Sequence, residues 1–355
     1  MSAELSIANV CAGFGISEAV QQFEHTPGTR VGFGPGSLNS LGEWAEPLGK
    51  RALVVTDPGI VEAGYLDRAK ETLEASGLAV AVFDRVAENP TTEDVAAGVA
   101  AATSHRADLI IGLGGGSSMD AAKGTNFILT NGGAMRDYWG KGKAEKPILP
   151  LIAVPTTAGT GSECQSFALI SDAETHQKMA CGDRKAAARL AILDPELTLT
   201  QPSAVTAHTG IDAVSHAVES HVTRDHTPVS RSYSAASLRL LLSGLADVQK
   251  EPLDLMGRAR LQVGAAMAGT AIENSMLGAA HSAANPLTAH FDIIHGQAVG
   301  VMLPAVIRVN SKGDTDVRAA YEQLYPDGDL GDAVAGLLDG FGLKVRLRDL
   351  GVDED

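Results

Sequence analysis

From residue 30 to residue 193 the chain alternates short apolar runs with longer stretches in which apolar positions recur every three or four residues. Residues 30–33, 52–56 (ALVVT), 80–83, 107–113 (ADLIIGL) and 147–155 (PILPLIAVP) read as strands. Helical periodicity falls on 38–48, 65–76, 92–104 and from Ser117 or Ser118 onward. Strands alternating with helices of ten or more residues build βαβ units, so this half predicts a mainly parallel sheet. Shorter runs at 167–171, 178–181 and 189–193 add strands. Past Leu193-Asp194-Pro195 the pattern changes, and 205–222, 229–245, 255–275, 282–290 and 298–309 all carry helical spacing. The expected architecture is an α/β domain over residues 1–200 and an all-helical domain over 201–355, with a cleft between them. Residues 1–30 add only a short predicted helix at 17–23.

Composition narrows what such a chain does. At 355 residues it is long enough for two ordinary domains, each with its own core. Its 28 basic against 43 acidic residues leave a formal charge of −15, which argues against nucleic acid or an anionic membrane as the main partner. Small-molecule chemistry fits better. The first basic residue is Arg30, so the start of the chain has neither the positive segment of a secretory signal nor the Arg-rich face of a transit peptide. No apolar run reaches bilayer length. Cys11, Cys164 and Cys181 are widely spaced with no CxxC pair, which suits a reducing cytoplasm and structural roles.

Two regions carry candidate chemistry. In GLGGGSSMDAAKG, residues 112–124, a buried-type strand breaks on three glycines and a helix follows. Glycines let a backbone approach a phosphate, and the free N–H groups at a helix start favour an anion, so the stretch reads as a dinucleotide diphosphate cradle. It is not the regular GxGxxG, and an ordinary βα turn with Ser117 and Asp120 as a capping box is the competing reading. TTAGTGSE, residues 156–163, follows the 147–155 strand and falls at the same sheet edge, as a ligand loop or a plain polar loop. In TGIDAVSHAVES, residues 209–220, Asp212 and His216 stand one helical turn apart on one face. They are a surface pair or two metal ligands, and His281 and His295, set beside glycines in 278–300, are the candidates to complete a set. One carboxylate with three imidazoles suits Fe(II) or Zn(II) and is poor for Mg(II) or Ca(II). Of the other histidines, His25, His105, His176, His208, His221 and His226 read as solvated.

Taken in order and at these separations, GGGSSMDAAKG, PTTAGTGSE, TGIDAVSHAVES and HSAANPLTAHFDIIHG resemble the iron-containing (group III) alcohol dehydrogenase family. ENPTTEDV at Glu88 and LDPELT at Leu193 add to the likeness. The resemblance implies an α/β NAD-binding domain facing an all-helical metal domain, and a metal-dependent interconversion of primary alcohols and aldehydes. By position it implies Asp212, His216, His281 and His295 as metal ligands, with Fe(II) preferred and Zn(II) an alternative occupant. It places Gly115, Gly116 and Ser117 at the diphosphate, Thr156, Thr157 and Thr160 along the nucleotide, Lys178 toward its ribose side and Asp57 by the adenosine ribose. Asn285 stands where the family often has a histidine that helps proton transfer. An amide cannot exchange a proton near neutral pH, and His290 is the substitute considered. Family members usually continue beyond the LRDLGVDED element. The rival activities are a zinc polyol dehydrogenase of the glycerol type and, disfavoured by the lack of a basic cluster, a dehydroquinate synthase-like lyase. A homodimer and a cytoplasmic place are expected.

Overall fold

A computed structural model describes residues 28–291, 293–344 and 346–352. The predicted helix at 17–23, Cys11 and His25 lie outside them. Six strands form one parallel sheet: β1 (Arg30–Phe33), β2 (Arg51–Val55), β3 (Ala79–Phe83), β4 (Leu109–Gly114), β6 (Leu151–Pro155) and β9 (Leu190–Leu193), in the order β1-β9-β6-β4-β2-β3. The register is direct, with Val55 beside Phe83 on one side and Gly112 on the other.

Successive strand residues serve opposite faces, and both faces are covered. Ala52 and Val54 of β2, with Leu109 and Ile111 of β4, join one buried cluster that includes Leu66, Ala69 and Leu73 of helix α3 (Tyr65–Ala75). Leu53, Val55 and Ile110 join another, packed under helix α4 (Thr92–His105) and helix α5 (Gly116–Asn131). Two shorter helices, α1 (Leu41–Ala45) and α2 (Pro58–Glu62), complete this half. The 38–48 stretch is not one helix, because a 3-10 turn at Ser37–Ser40 precedes α1. The runs at 167–171 and 178–181 leave the main sheet. As β7 (Phe167–Ser171) and β8 (Lys178–Gly182) they form an antiparallel hairpin, joined by the two-residue β5 (Gly140–Lys141) in a separate small sheet.

After β9 the described residues contain no further strand. Helices α6 (Ser203–Val222), α7 (Pro228–Lys250), α8 (Leu255–Glu273), α9 (Ala279–Phe291), α10 (His295–Gly313), α11 (Thr315–Leu324) and α12 (Leu330–Gly340) surround a core of Val214, Leu238, Leu241, Leu261, Leu303 and Val334. α11 and α12 are not among the predicted helices, although both are amphipathic and start at an Asp cap, Asp314 and Asp329. No helix among the described residues is long and apolar enough to cross a membrane.

The two halves meet on backbone. Gly161 and Gly269 are so close that a Cβ on Gly269 would lie 2.3 Å from the Gly161 carbonyl oxygen, and one on Gly159 would lie 2.4 Å from Thr209. Fully buried Gln262 of α8 donates through Nε2 to the carbonyls of Pro155 and Asp194, at the ends of β6 and β9. The residues 156–163 loop is thus held between the sheet and the helices.

Candidate functional site

β2 runs on in sequence to β3 at one side, whereas β4 lies on its other side, so the sheet changes winding direction between β2 and β4. Open α/β sheets bind ligands in the crevice beyond such a point. Asp57 follows β2 there, Gly114 ends β4, and Gly115 and Gly116 follow it. α5 begins at Gly116 with Gly115 as its cap residue, and no side chain caps it, so its first N–H groups open toward the crevice. The Ser117–Asp120 capping box is not formed, and Asp120 instead accepts from the Ser162 hydroxyl at 3.0 Å.

Glycine is needed here for room. A Cβ on Gly116 would lie 2.7 Å from Thr160 Cγ2, and one on Gly114 would lie 2.8 Å from Asp57 Oδ2 at a φ of +146°. Gly115 faces Thr157 at 3.4 Å by the same measure. Asp57 accepts from the Ile60 N–H and from Ser118 Oγ at 3.0 Å. The structure therefore gathers Asp57, the glycines, Thr157 and Thr160. Thr156 is buried, and its N–H donates to the Gly114 carbonyl, which holds the loop against β4. Ser117 Oγ accepts from the Asn89 N–H, and the Asn89 amide oxygen accepts from Lys178 Nζ at 3.2 Å. Asn89, in the left-handed region at φ 53°, thus ties Lys178 to the cradle, a role its sequence context does not announce.

A buried lysine fastens the loop from behind. Lys123 Nζ donates to the Ser162 carbonyl, the Ser162 hydroxyl and the Phe167 carbonyl at 2.7, 2.8 and 2.9 Å, which uses all three of its protons. Burial pushes the Asp120 carboxyl up to about 6 against the pull of the Lys123 charge.

In the helical half, Asp212 and His216 share one face of α6, and both are buried, so the surface-pair reading does not hold. His281 arrives in the first turn of α9 and His295 begins α10. The three Nε2 atoms surround one oxygen: His216, His281 and His295 lie 3.4, 3.5 and 3.8 Å from Asp212 Oδ1. A tetrahedral cation with N and O bonds of about 2.0–2.2 Å spaces its ligand atoms about 3.3–3.6 Å apart, close to these values. Asp212 Oδ1 and His281 Nε2 are also buried without a hydrogen-bond partner, a state that costs about 1–3 kcal/mol per group if nothing fills it. Asp212, His216 and His281 each bring one ligand atom within 4.8 Å of the others, a trio that could hold a divalent cation, and His295 stands beside it.

Charge is distributed unevenly in this cluster. Burial alone would raise Asp212, but the surrounding His216, His281 and His295 hold it well below the usual carboxylate range. Burial, helped by the neighbouring imidazoles, lowers His216 to about 4. His281 is pushed up to about 9, because contacts with Asp212 and Glu219 outweigh its burial. Glu219 also belongs to this cluster, a residue that the sequence reading missed. Its carboxylate is 2.6 Å from His281 Nδ1. Its i+7 spacing from Asp212 on α6 was the available signal.

Residues 28–195 match the family profile "Iron-containing alcohol dehydrogenase", and residues 206–355 match "Fe-containing alcohol dehydrogenase family, C-terminal". The chain belongs to the iron-containing alcohol dehydrogenase family. Among relatives in this family, the NAD-dependent methanol dehydrogenase of Bacillus methanolicus is 34% identical over 305 residues, 86% of this chain and 79% of its own. Alcohol dehydrogenase 4 of Schizosaccharomyces pombe is 34% identical over 331 residues, 91% of this chain and 78% of its own. The crystal structure of a 1,3-propanediol oxidoreductase superposes with a TM-score of 0.89 at 32% identity, covering 94% of this chain and 91% of that one.

Two other residues weighed from sequence are placed differently. His221 is buried, with Nδ1 2.8 Å from Ser234 Oγ, and is not solvated. His290 lies nine residues after His281 on α9, about 180° around the helix, so it leaves from the opposite face and does not replace a proton carrier at Asn285. Asn285 shares the His281 face and is exposed.

Proposed function

We propose that this protein is an NAD-linked, divalent-metal-dependent dehydrogenase that interconverts primary alcohols and aldehydes. The observation that carries the reading is the convergence of three imidazole nitrogens on one unpartnered, buried carboxylate oxygen, with an uncapped, glycine-lined helix start at the sheet edge of the other half. Asp212, His216, His281 and His295 would hold the cation, Fe(II) or Zn(II), and family membership favours Fe(II). When bound, the cation supplies Lewis-acid polarisation of the alcohol oxygen and the nicotinamide accepts the hydride.

The chain's own residues prepare this chemistry. Asp212 is an anion at neutral pH, and burial keeps His216 uncharged, with one ring nitrogen bearing a free lone pair. Gly115, Gly116 and Ser117 offer N–H groups to the diphosphate, while Thr157 and Thr160 border it. Thr156 anchors the loop. Asp57 stands where it accepts hydrogen bonds from a ribose hydroxyl and repels a 2′-phosphate, which supports NAD over NADP. Lys178, whose Nζ donates to the Asn89 amide oxygen at 3.2 Å beside the cradle, would reach toward the ribose side of the nucleotide. Asn285 offers a hydrogen bond but no proton exchange, so the alcohol proton leaves by another route.

The division into domains near residue 200, a homodimer, a cytoplasmic place and the absence of nucleic-acid or membrane partners belong to the same proposal. The net charge of −15 supports the last. The test is NADH absorbance from chelated protein, then from protein reconstituted with Fe(II) or Zn(II), given NAD and a panel of short alcohols and diols. Turnover only after reconstitution is expected. Full activity of the stripped protein, or none with any alcohol after reconstitution, defeats the reading.

A further inference from the structure

His281 differs from the other cluster histidines in how it is held. His216 rides in the middle of the 20-residue α6, and its Nδ1 has no partner. His281 sits in the first turn of α9, where backbone N–H groups have no carbonyl of their own helix to bond. Glu219, 3% exposed on α6, bonds both these N–H groups and the His281 ring. One carboxylate oxygen accepts from the Ala280 N–H at 2.6 Å. The other accepts from the Gly278 N–H at 3.1 Å, the His281 N–H at 3.4 Å and the His281 ring at 2.6 Å. Backbone N–H groups already point at both oxygens of this carboxylate, so it acts as the acceptor and the ring nitrogen facing it is the donor. Nδ1 therefore keeps its proton whichever form the ring is in, and Nε2, which faces Asp212 at 3.5 Å, is the nitrogen that would give up its proton to a cation. Gly278 supplies the room, since a Cβ there would lie 2.8 Å from the Glu219 oxygen.

We propose that Glu219 is a positioning residue: by accepting from the His281 ring and from the start of α9 together, it fixes the tautomer and place of His281 and so sets how tightly the cluster takes a divalent cation. This rests on the reading of the cluster as the metal site. The chemistry requires a carboxylate. Four N–H groups converge on its two oxygens, whereas an amide of the same shape has one acceptor oxygen and one NH2 group. With its oxygen toward Ala280, a glutamine would turn its NH2 toward Nδ1, draw on that lone pair and move the ring proton to Nε2. With its oxygen toward the ring, it would set donor against donor at Ala280.

The experiment titrates Co(II) into the metal-free full chain by visible absorption, with a competing chelator, and measures thermal melting of the metal-free protein. Compared are the unmodified protein, Glu219→Gln and His216→Ala. His216→Ala should lose Co(II) binding, and Glu219→Gln should weaken it by about 10–100-fold, the range typical of groups that orient metal-bound histidines. Lower melting with unchanged Co(II) affinity in Glu219→Gln would reduce Glu219 to a structural cap and overturn the proposal. Should Glu219→Gln not fold, Gly278→Ala, which keeps the carboxylate but displaces it, should weaken Co(II) severalfold, and unchanged affinity there also overturns it. If His216→Ala binds Co(II) as well as the unmodified protein, the cluster is not the cation site and the underlying reading falls as well.

Discussion

The glycine cradle and the Asp212 cluster stand in different halves of the chain and are built from opposite materials. At the cradle the groups offered are backbone N–H donors, and side chains are removed from Gly114 to Gly116 so that Thr157, Thr160 and Asp57 can close around them. In the cluster the offered groups are side chains, buried and charged, whose protonation is decided by neighbouring side chains. The first site should therefore be sensitive to volume and the second to charge.

The most severe break should come from the charged site. His281→Ala or His295→Ala is expected to cut kcat/KM for alcohol oxidation by at least about 10³-fold, since a Lewis acid contributes several kcal/mol to such a step. NAD affinity, read by fluorescence quenching, should stay near that of the unmodified protein, because the cradle lies on the other half. Activity that survives in either variant would dissolve the contrast.

A sharper probe uses His221, a buried imidazole on α6 with Ser234 beside it rather than a carboxylate. Burial lowers it to about 4, reinforced by the Arg231 charge. The unfolded chain takes up this proton near the ordinary value of about 6.5, so the contribution is fully present above that pH and is lost as pH falls toward 4. The loss amounts to about 3 kcal/mol. Denaturant titrations across this window should show a shallower acid decline in His221→Asn than in the unmodified protein. Parallel curves would show that His221 is not held neutral.

The volume rule is tested by Gly116→Ala, whose methyl would lie 2.7 Å from Thr160 Cγ2. Overpacking of this kind costs about 1–3 kcal/mol, read as about a 5- to 150-fold weaker NAD dissociation constant with metal content unchanged. Asp57→Gly should have the smallest effect, narrowing the preference for NAD over NADP by roughly tenfold, the scale of one charge repulsion near a surface. NADP turnover equal to NAD in the unmodified protein would remove that role from Asp57.

The same contrast explains what could be read from sequence. Three glycines after an apolar strand, or Asp212 and His216 one turn apart, announce themselves locally. The alternation of strand and helix from β1 to β9 is as local, and it carried the fold. Glu219, Asn89, Lys123 and Gln262 act only through partners 28 to 107 residues away, so no short motif marks them. β7 and β8 read correctly as strands, but only tertiary pairing decides that they form a sheet of their own. His221 looked like a solvated residue near a helix end. Its burial depends on α7 folding back over it.

The contact between Gly161 and Gly269 bears on recombination. A chimaera that joins the sheet half of one relative to the helical half of another at residue 200 separates these two positions into different parents. Each leaves no space for a methyl on the other, so an alanine contributed by either parent would force the halves apart at the loop between cradle and cluster. Functional exchange of halves should succeed only where the sheet parent supplies glycine at 161 and the helical parent supplies glycine at 269.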